Sequence, residues 1–430
     1  MPMAVAEHTI RIIMKGTNLD IAIIGGGASG MMSALSAVKQ SEKLNIAVFE
    51  RLDRVGKKIL ATGNGRCNFS NINTSVSHYH GQVPDFADYP LKEFTVDDTV
   101  NFFNTLGVFP REERDGRLYP FSLQASAVLD CLRNELSRRN ITVYTSRKII
   151  GIKHKGSVFR LSDQDKNSYT AKSVIIAGGG CASPSLGSDG SAFDLLKSLG
   201  HRMEKTYPAL VQLRTDTEGI KGLKGIKTEA KVSLIHGDRI ITAKQGELLF
   251  TDYGISGPPV FDISVELTGK KNASVEIDFM PEYDEKAVFE ILKHRTGVLS
   301  HLTAENYFVG LLNKRVGNLI ARRAGIKKLS MSVSEFTEVL LWKLAANIKH
   351  YSLNITGTQG YDNAQVTAGG ISVAEFDNKT MESKVISGIF ACGEVLDIYG
   401  DCGGYNLQWA WSSGYVAGRE CALKCLKYRK

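Results

Sequence analysis

Three glycines, Gly25, Gly27 and Gly30, stand between a short apolar run, Ile21 to Ile24, and an alanine-rich stretch, Ala28 to Lys39. At a strand-to-helix turn each plays a separate part. Gly25 permits the sharp turn, Gly27 lets a pyrophosphate approach the backbone, and Gly30 lets the helix sit close to the sheet. Ala28 and Ser29 lie within the same motif and belong to the same contact set. Glu50 ends the next apolar run, Ile46 to Phe49, where its carboxylate is placed to accept hydrogen bonds from both hydroxyls of a ribose. Arg51 beside it suggests a partner for a 2′-phosphate, but Glu50 would repel that phosphate. A close-packed turn without a ligand is the competing reading, and the acid in register argues against it. This fingerprint binds a dinucleotide and does not by itself separate NAD from FAD.

Two distant segments favour FAD. Residues 56–71 form a polar, glycine-rich loop too elaborate for a simple crossover, either a surface loop or a backbone wall against a flat ring system. Residues 393–407 lead into a small-residue helix reaching Arg419. Its N-terminus offers free N–H groups and a positive dipole end, and a reduced flavin carries negative charge near N1 and O2. No second GxGxxG occurs, so NAD(P)H is expected only as a transient electron donor.

Tyr253, Tyr399 and Asp401 lie in glycine-rich loops and are the acid/base candidates, with a structural hydrogen bond as the competing role for each. The seven cysteines are scattered, without CxxC units or zinc spacing, which fits a reducing, cytoplasmic setting. A redox-active pairing of Cys392 with Cys402 is disfavoured because no cationic residue adjoins Cys392. The nine histidines join no cluster in sequence, so no metal site is expected. Between Asn306 and Ser334 there is no acidic residue, while Lys314, Arg315, Arg322, Arg323, Lys327 and Lys328 occur. An RNA contact is one reading. A solvated helix face explains the cluster better, since no aromatic platform interleaves the charges.

The elements that must hold these residues follow from the pattern. Ile21 to Phe49 reads as a βαβ unit, and Ser173 to Ala177 and Ser387 to Ala391 are two further short apolar runs ending at glycines. Three strands stopping at glycines imply one shared ligand edge. After Pro208 the texture changes to two-residue alternation, as in Val275, Ile277 and Phe279 against Ser274, Glu276 and Asp278. Residues 283–347 read as helical, with Leu312, Val316, Leu319 and Ile320 at three- and four-residue spacing. The expected architecture is an α/β, Rossmann-like domain (1–207 and 358–430) interrupted by a β-barrel-like insertion (208–282 with 348–357) and a helical subdomain (283–347). With 430 residues, a net charge of +8 and 43% hydrophobic content, the chain is ordinary globular material with room for two or three domains. Charged residues or glycine turns break every run long enough to span a membrane. Glu7, Arg11 and Lys15 likewise interrupt the first residues, so no secretory signal is expected and residues 1–13 read as a dispensable extension.

The stretches IAIIGGGASG, FERLDRVGKKILATGNGRCNFSN, SVIIAGGG, PALVQL, LLFTDYGISGPPV and the long C-terminal run from Val366 to Gly418 resemble the BaiN-type flavoprotein family. That family includes aminoacetone-oxidase-like, NAD(FAD)-utilizing dehydrogenases. The resemblance implies a Rossmann-like FAD domain carrying a β-barrel-like insertion and a helical subdomain. It places Gly25, Gly27, Gly30 and Glu50 on the ADP half of FAD, with Ala28, Ser29, Arg51, Lys57, Ala177, Gly178, Gly179 and Gly393 in the same contact set. It sets Glu394 on the ribityl chain and Thr62, Gly63, Asn64, Arg66, Cys67 and Asn68 beside the isoalloxazine. Gly404, Asn406 and Leu407 would cap the pyrimidine end, with Tyr405 also among the cofactor-binding residues. Where the family often has Thr-His, this chain has Thr251-Asp252-Tyr253, so a histidine's proton-transfer role does not carry over. The expected activity is hydride transfer through the flavin to or from a small organic substrate. An RNA-modifying flavoprotein and a flavin-bound, non-catalytic binding protein are the alternatives.

Overall fold

The computed structural model describes residues 18–267, 269–270 and 272–427; the extension expected at 1–13 lies outside them. These residues divide into two compact units, one of residues up to Thr206 and from Gly369 onward, the other Tyr207–Ala368. The second crossing falls at Gly369 rather than 358 because Val366–Ala368 pairs with Tyr207–Ala209 and keeps those residues in the inserted unit.

The first unit is built on β1 (Asn18–Ile24), α1 (Ala28–Gln40) and β2 (Ile46–Phe49). Among the described residues its sheet has seven strands, running Thr142–Tyr144, β2, β1, Ser168–Ile176, Val158–Asp163 and Ile149–Lys155, with Ile389–Ala391 also paired to Ser168–Ile176. The pairings of β1, β2, Thr142–Tyr144, Ser168–Ile176 and Ile389–Ala391 are parallel. Ile24, Ile176 and Ala391 therefore finish in register, at the edge where the three glycine-ended runs are expected to converge. Both faces of β1 are buried, as a parallel central strand requires, and this is why it reads as a continuous apolar run.

A long helix, Tyr405–Lys427, closes the unit against α1. Small residues make the contact possible: a Cβ on Gly414 would lie 2.5 Å from the Ser29 carbonyl oxygen, and one on Gly418 would lie 2.1 Å from that of Ser33.

In the second unit, six antiparallel strands close into a barrel in the order Leu213–Thr215, Gly254–Ser256, Arg239–Phe250, Lys227–His236, Ala273–Asp278 and Tyr351–Thr358. The strict alternation in Ala273–Asp278 reflects one face toward the barrel core and one toward solvent. Helices Glu285–Val298, Lys314–Arg323 and Glu338–Lys349 pack their apolar stripes on the same core, where Val316 and Ile320 are buried. Among the described residues no helix is long and apolar enough to cross a membrane.

Candidate functional site

The first turn is constrained on one side and open on the other. Gly25 has φ +106°, and a Cβ there would strike the Ala177 carbonyl oxygen at 2.3 Å, so glycine is required where β1 meets Ala177 and Gly178. A Cβ on Gly30 would fall 1.9 Å from the Gly25 oxygen. Gly27 differs: its φ is −79°, and a Cβ would meet nothing within 4 Å. The packing therefore explains Gly25 and Gly30 but leaves a cradle at Gly27, which a methyl group would fill. Gly27 also caps α1 without a side-chain hydrogen bond, and no acid occurs in the first turn, so the helix's leading N–H groups face that cradle with their positive dipole end.

Glu50 is buried at the end of β2. Its carboxylate accepts from the Gly26 N–H at 2.9 Å and the Leu52 N–H at 2.8 Å, which fixes its orientation and leaves further lone pairs on both oxygens. Burial raises its pKa above the ordinary glutamate value, opposed by those two backbone donors. Ser29 lies against Gly393, whose φ is +74° and whose Cβ would come 2.5 Å from Ser29 Oγ. Gly178 and Gly179 face Ala192 and Ser188, at contacts too close for a Cβ. The structure thus brings Gly25, Gly27, Ser29, Gly30, Ala177, Gly178 and Gly393 to one edge, with Glu50 reaching Gly26 across the turn.

A second group forms where residues 62–71 meet the start of the final helix. Gly63, Asn64 and Cys67 have left-handed backbone, at φ 56°, 55° and 60°. The Thr62 hydroxyl donates to the Ile59 carbonyl, and the Cys67 N–H donates to that of Thr62. The segment is held to the helix by Trp411 Nε1 donating to the Phe69 carbonyl and by Ser70 Oγ donating to Gln408 Oε1. A Cβ on Gly404 would lie 2.3 Å from the Ser70 oxygen and 2.9 Å from Asn68 Oδ1. That Asn68 oxygen is buried and has no hydrogen-bond partner among the described residues. A buried acceptor without a donor costs on the order of 1–3 kcal/mol, so it marks a place for a ligand's N–H or O–H. Asn406 is engaged locally: its Nδ2 donates to the Gly400 carbonyl and its Oδ1 accepts from the Gly400 N–H. Leu407 is half-buried on the same turn.

Several of the expected ligands are held by the chain itself. Arg51 pairs with Asp189 and donates to the carbonyls of Gly187 and Pro184. Lys57 pairs with Asp53. Arg66 pairs with Glu113 and lies over the Tyr119 ring. Glu394 is held by Lys58 Nζ at 2.7 Å, a partner far away in sequence. Burial pushes the Cys67 thiol up to about 12 and that of Cys392 to about 11, so neither is a thiolate at neutral pH. All seven cysteines lie among the described residues and none is in a disulfide.

The acid/base candidates separate. Tyr253 belongs to the inserted unit, in the turn before Gly254–Ser256, where its carbonyl accepts from the Thr215 N–H. Tyr399 and Asp401 belong to the first unit. The Tyr399 ring stacks on His80 at 5.5 Å between centroids. Asp401 accepts from His78 Nδ1 at 3.0 Å and His80 Nε2 at 2.7 Å. The histidines look scattered in sequence because this cluster joins positions more than 300 residues apart. His201 likewise meets Ser383 at 3.0 Å and Glu375 at 3.1 Å, the connectivity of a nucleophile, base and acid. Ser383 Oγ, however, accepts from the N–H groups of Val385 and Ile386, and the His201 side chain is wholly buried, so this trio ties a turn. Among the described residues no group of His, Cys, Asp and Glu is arranged to hold a metal ion.

A Rossmann-type sheet with a glycine turn, an acid just past the end of the second strand and a barrel insertion is the arrangement of a dinucleotide-binding α/β protein. The chain matches the HI0933-like protein Rossmann domain over residues 19–420 and belongs to that family of FAD-binding oxidoreductases. It is 39% identical over 408 residues to the 3-dehydro-bile acid delta(4,6)-reductase of Clostridium scindens, covering 94% of this chain and 98% of that one. It is 29% identical over 406 residues to the ribosomal RNA dihydrouridine synthase of Haemophilus influenzae, covering 93% and 97% of the two chains. Among solved structures, a quinol-fumarate reductase with menaquinol molecules shares the fold at TM-score 0.52 and 16% identity, over 96% of this chain and 72% of that one.

Proposed function

We propose that this enzyme binds FAD across the first unit and uses it to reduce a carbon–carbon double bond conjugated to a carbonyl in a small organic molecule, with NAD(P)H as transient electron donor. The observation that carries the cofactor reading is the open cradle at Gly27 beside a fully oriented Glu50. The substrate class draws on the bile-acid reductase, which matches along nearly its whole length.

In this reading Glu50 accepts from the ribose hydroxyls with the lone pairs that Gly26 and Leu52 leave free. The leading N–H groups of α1 take the pyrophosphate. Arg51 serves through the Pro184–Gly187 loop that it holds, and Lys58 fixes Glu394 toward the ribityl chain. Asn68 Oδ1 would accept from a ring N–H, and the N-terminal N–H groups of Tyr405–Lys427 would stabilise negative charge on the reduced ring. When bound, FAD supplies hydride chemistry. Tyr399 and Asp401 remain the first unit's candidates for handling the accompanying proton, Asp401 through the histidines that it holds. Seven cysteines outside any disulfide support a reducing, cytoplasmic setting.

The test is a stopped-flow screen of NADH and NADPH as reductants and of unsaturated ketones, steroidal ones included, as acceptors. Bleaching by a reduced nicotinamide followed by reoxidation with an enone is the expected result. A flavin that no enone reoxidises would remove the substrate assignment.

An RNA substrate is the second reading, favoured by the basic run and by the relatives named ribosomal RNA dihydrouridine synthases. The run is partly spent, since Lys314 pairs with Glu305 and Arg323 lies over the Tyr351 ring, while Arg322, Lys327 and Lys328 are exposed. Salt-sensitive binding to ribosomal RNA would favour it.

A further inference from the structure

Three side chains from two remote segments meet beside the first turn of the final helix. His78 and His80 flank a buried tyrosine, Tyr79, and both direct a ring nitrogen at Asp401. Backbone pairing fixes the arrangement: Tyr79–His80 pairs antiparallel with Tyr399–Gly400, and the Asp401 N–H donates to the His78 carbonyl at 3.0 Å. The His78 ring stacks on Tyr405 at 4.3 Å and 16°, and the Tyr79 hydroxyl donates to the Tyr405 carbonyl at 3.0 Å. Asn406, the next residue, donates to the Asp401 carbonyl. The cluster is therefore built onto Tyr405 and Asn406, the turn assigned to the flavin's pyrimidine end.

The chemistry of the trio is that of a proton store. With Asp401 ionised, His78 donates through Nδ1 and His80 through Nε2. The opposite ring nitrogen of each can then take a proton, and the carboxylate stabilises the imidazolium that forms. The rings are about a quarter to a third exposed, at 32% and 25% of their side chains, so solvent can refill them. Other groups near the cluster include Tyr79, Tyr399 and Tyr405 and, next to Asp401 in sequence, Cys402, with Asp397 beyond Gly81 and Arg117 beside Gly403. Burial, with Tyr405 and then Asp401 adding to it, holds the Tyr79 phenol well above its usual range, so that group stays protonated.

We propose that the His78–Asp401–His80 cluster binds one proton when the flavin accepts an electron pair and gives it up when the pair leaves. The proposal rests on the FAD reading of the first unit. The balance is two electrons from the reductant, one proton to the flavin ring, and one proton from solvent to an imidazole of the cluster. When hydride passes on to the substrate, the imidazolium releases its proton, which completes the addition of two hydrogens across the bond. Asp401 is the positioning residue, and His78 and His80 hold the proton.

The test is a spectroelectrochemical titration of the bound flavin across roughly pH 5 to 8, where imidazoles titrate. It counts protons taken up per electron pair in the wild type and in a double variant, His78→Asn with His80→Gln. The two amides keep a donor close to where Nδ1 and Nε2 stood but cannot titrate. The wild type is expected to take up one proton more than the double variant within part of that window. Asp401→Asn should reduce the extra uptake, since it removes the carboxylate that both rings address. Equal proton counts in a wild type and a double variant that both hold flavin would overturn the cluster's role alone, whereas a wild type that takes up no flavin would overturn the cofactor reading together with it. Side-chain nitrogen NMR of the flavin-free protein gives an independent reading: protons on His78 Nδ1 and His80 Nε2 are expected, and the opposite tautomers would contradict the arrangement. That reading also decides the case should the double variant fail to fold.

Discussion

Glu50 and Asp397 are both buried carboxylates, and their partners set them to different ends. Glu50 must be charged to accept from two ribose hydroxyls. Glu50→Gln keeps the shape and loses the charge-assisted bonds, each worth about 1.5–3 kcal/mol, so FAD affinity should fall tenfold or more in a fluorescence titration while the apo protein stays folded. Because burial raises the Glu50 pKa, wild-type affinity should also decline on acidification before an ordinary glutamate would protonate. Asp397 is 2% exposed, accepts from the Gln82 N–H, and is raised from 3.8 to about 6 by burial. A raised carboxyl contributes stability that is complete below its unfolded value and lost as pH rises through its folded one. Denaturant melts should therefore show the wild type losing roughly 2 kcal/mol between pH 4 and 7 relative to Asp397→Asn, most of the contribution of about two pKa units at about 1.4 kcal/mol each. A pH-independent difference between the two proteins would assign the group another role.

At the scale of elements, the approach of α1 to Tyr405–Lys427 through Gly414 and Gly418 is a close contact open to test. Gly418→Ala puts a methyl into the Ser33 carbonyl oxygen, and calorimetry should show destabilisation of about 1–3 kcal/mol or more, the cost of overpacking. An unchanged melting temperature would mean that the helices separate without cost. The elements themselves were legible in sequence where periodicity and glycine placement agree: β1, α1 and β2, the converging strand ends, the alternation in Ala273–Asp278. What could not be read are contacts between segments that no local pattern links. His78 and His80 look like solvent-facing residues until Tyr399–Gly400 pairs beside them. Lys58 looks no different from Lys57 until Glu394 arrives. Asn68, placed beside the isoalloxazine by resemblance alone, owes its unpartnered oxygen to Gly404, which closes over it and supplies no donor.

For the whole molecule, the described residues form two separate hydrophobic cores, one within each unit. The inserted unit closes its own barrel edges, so residues 207–368 expressed alone should melt cooperatively by circular dichroism; a gradual, non-cooperative loss of signal would show that its core depends on the rest of the chain. The cofactor assignment belongs to the first unit and turns on whether its glycines serve packing or a ligand. Gly27→Ala separates the two, because its backbone accepts alanine and the methyl would enter open space. FAD titrated against the flavin-free Gly27→Ala protein should bind at least tenfold more weakly than to the wild type, while the apo melting temperature is unchanged or slightly raised, as expected when a compatible glycine is replaced. Wild-type FAD affinity in Gly27→Ala would contradict the cradle, and with it the placement of the cofactor.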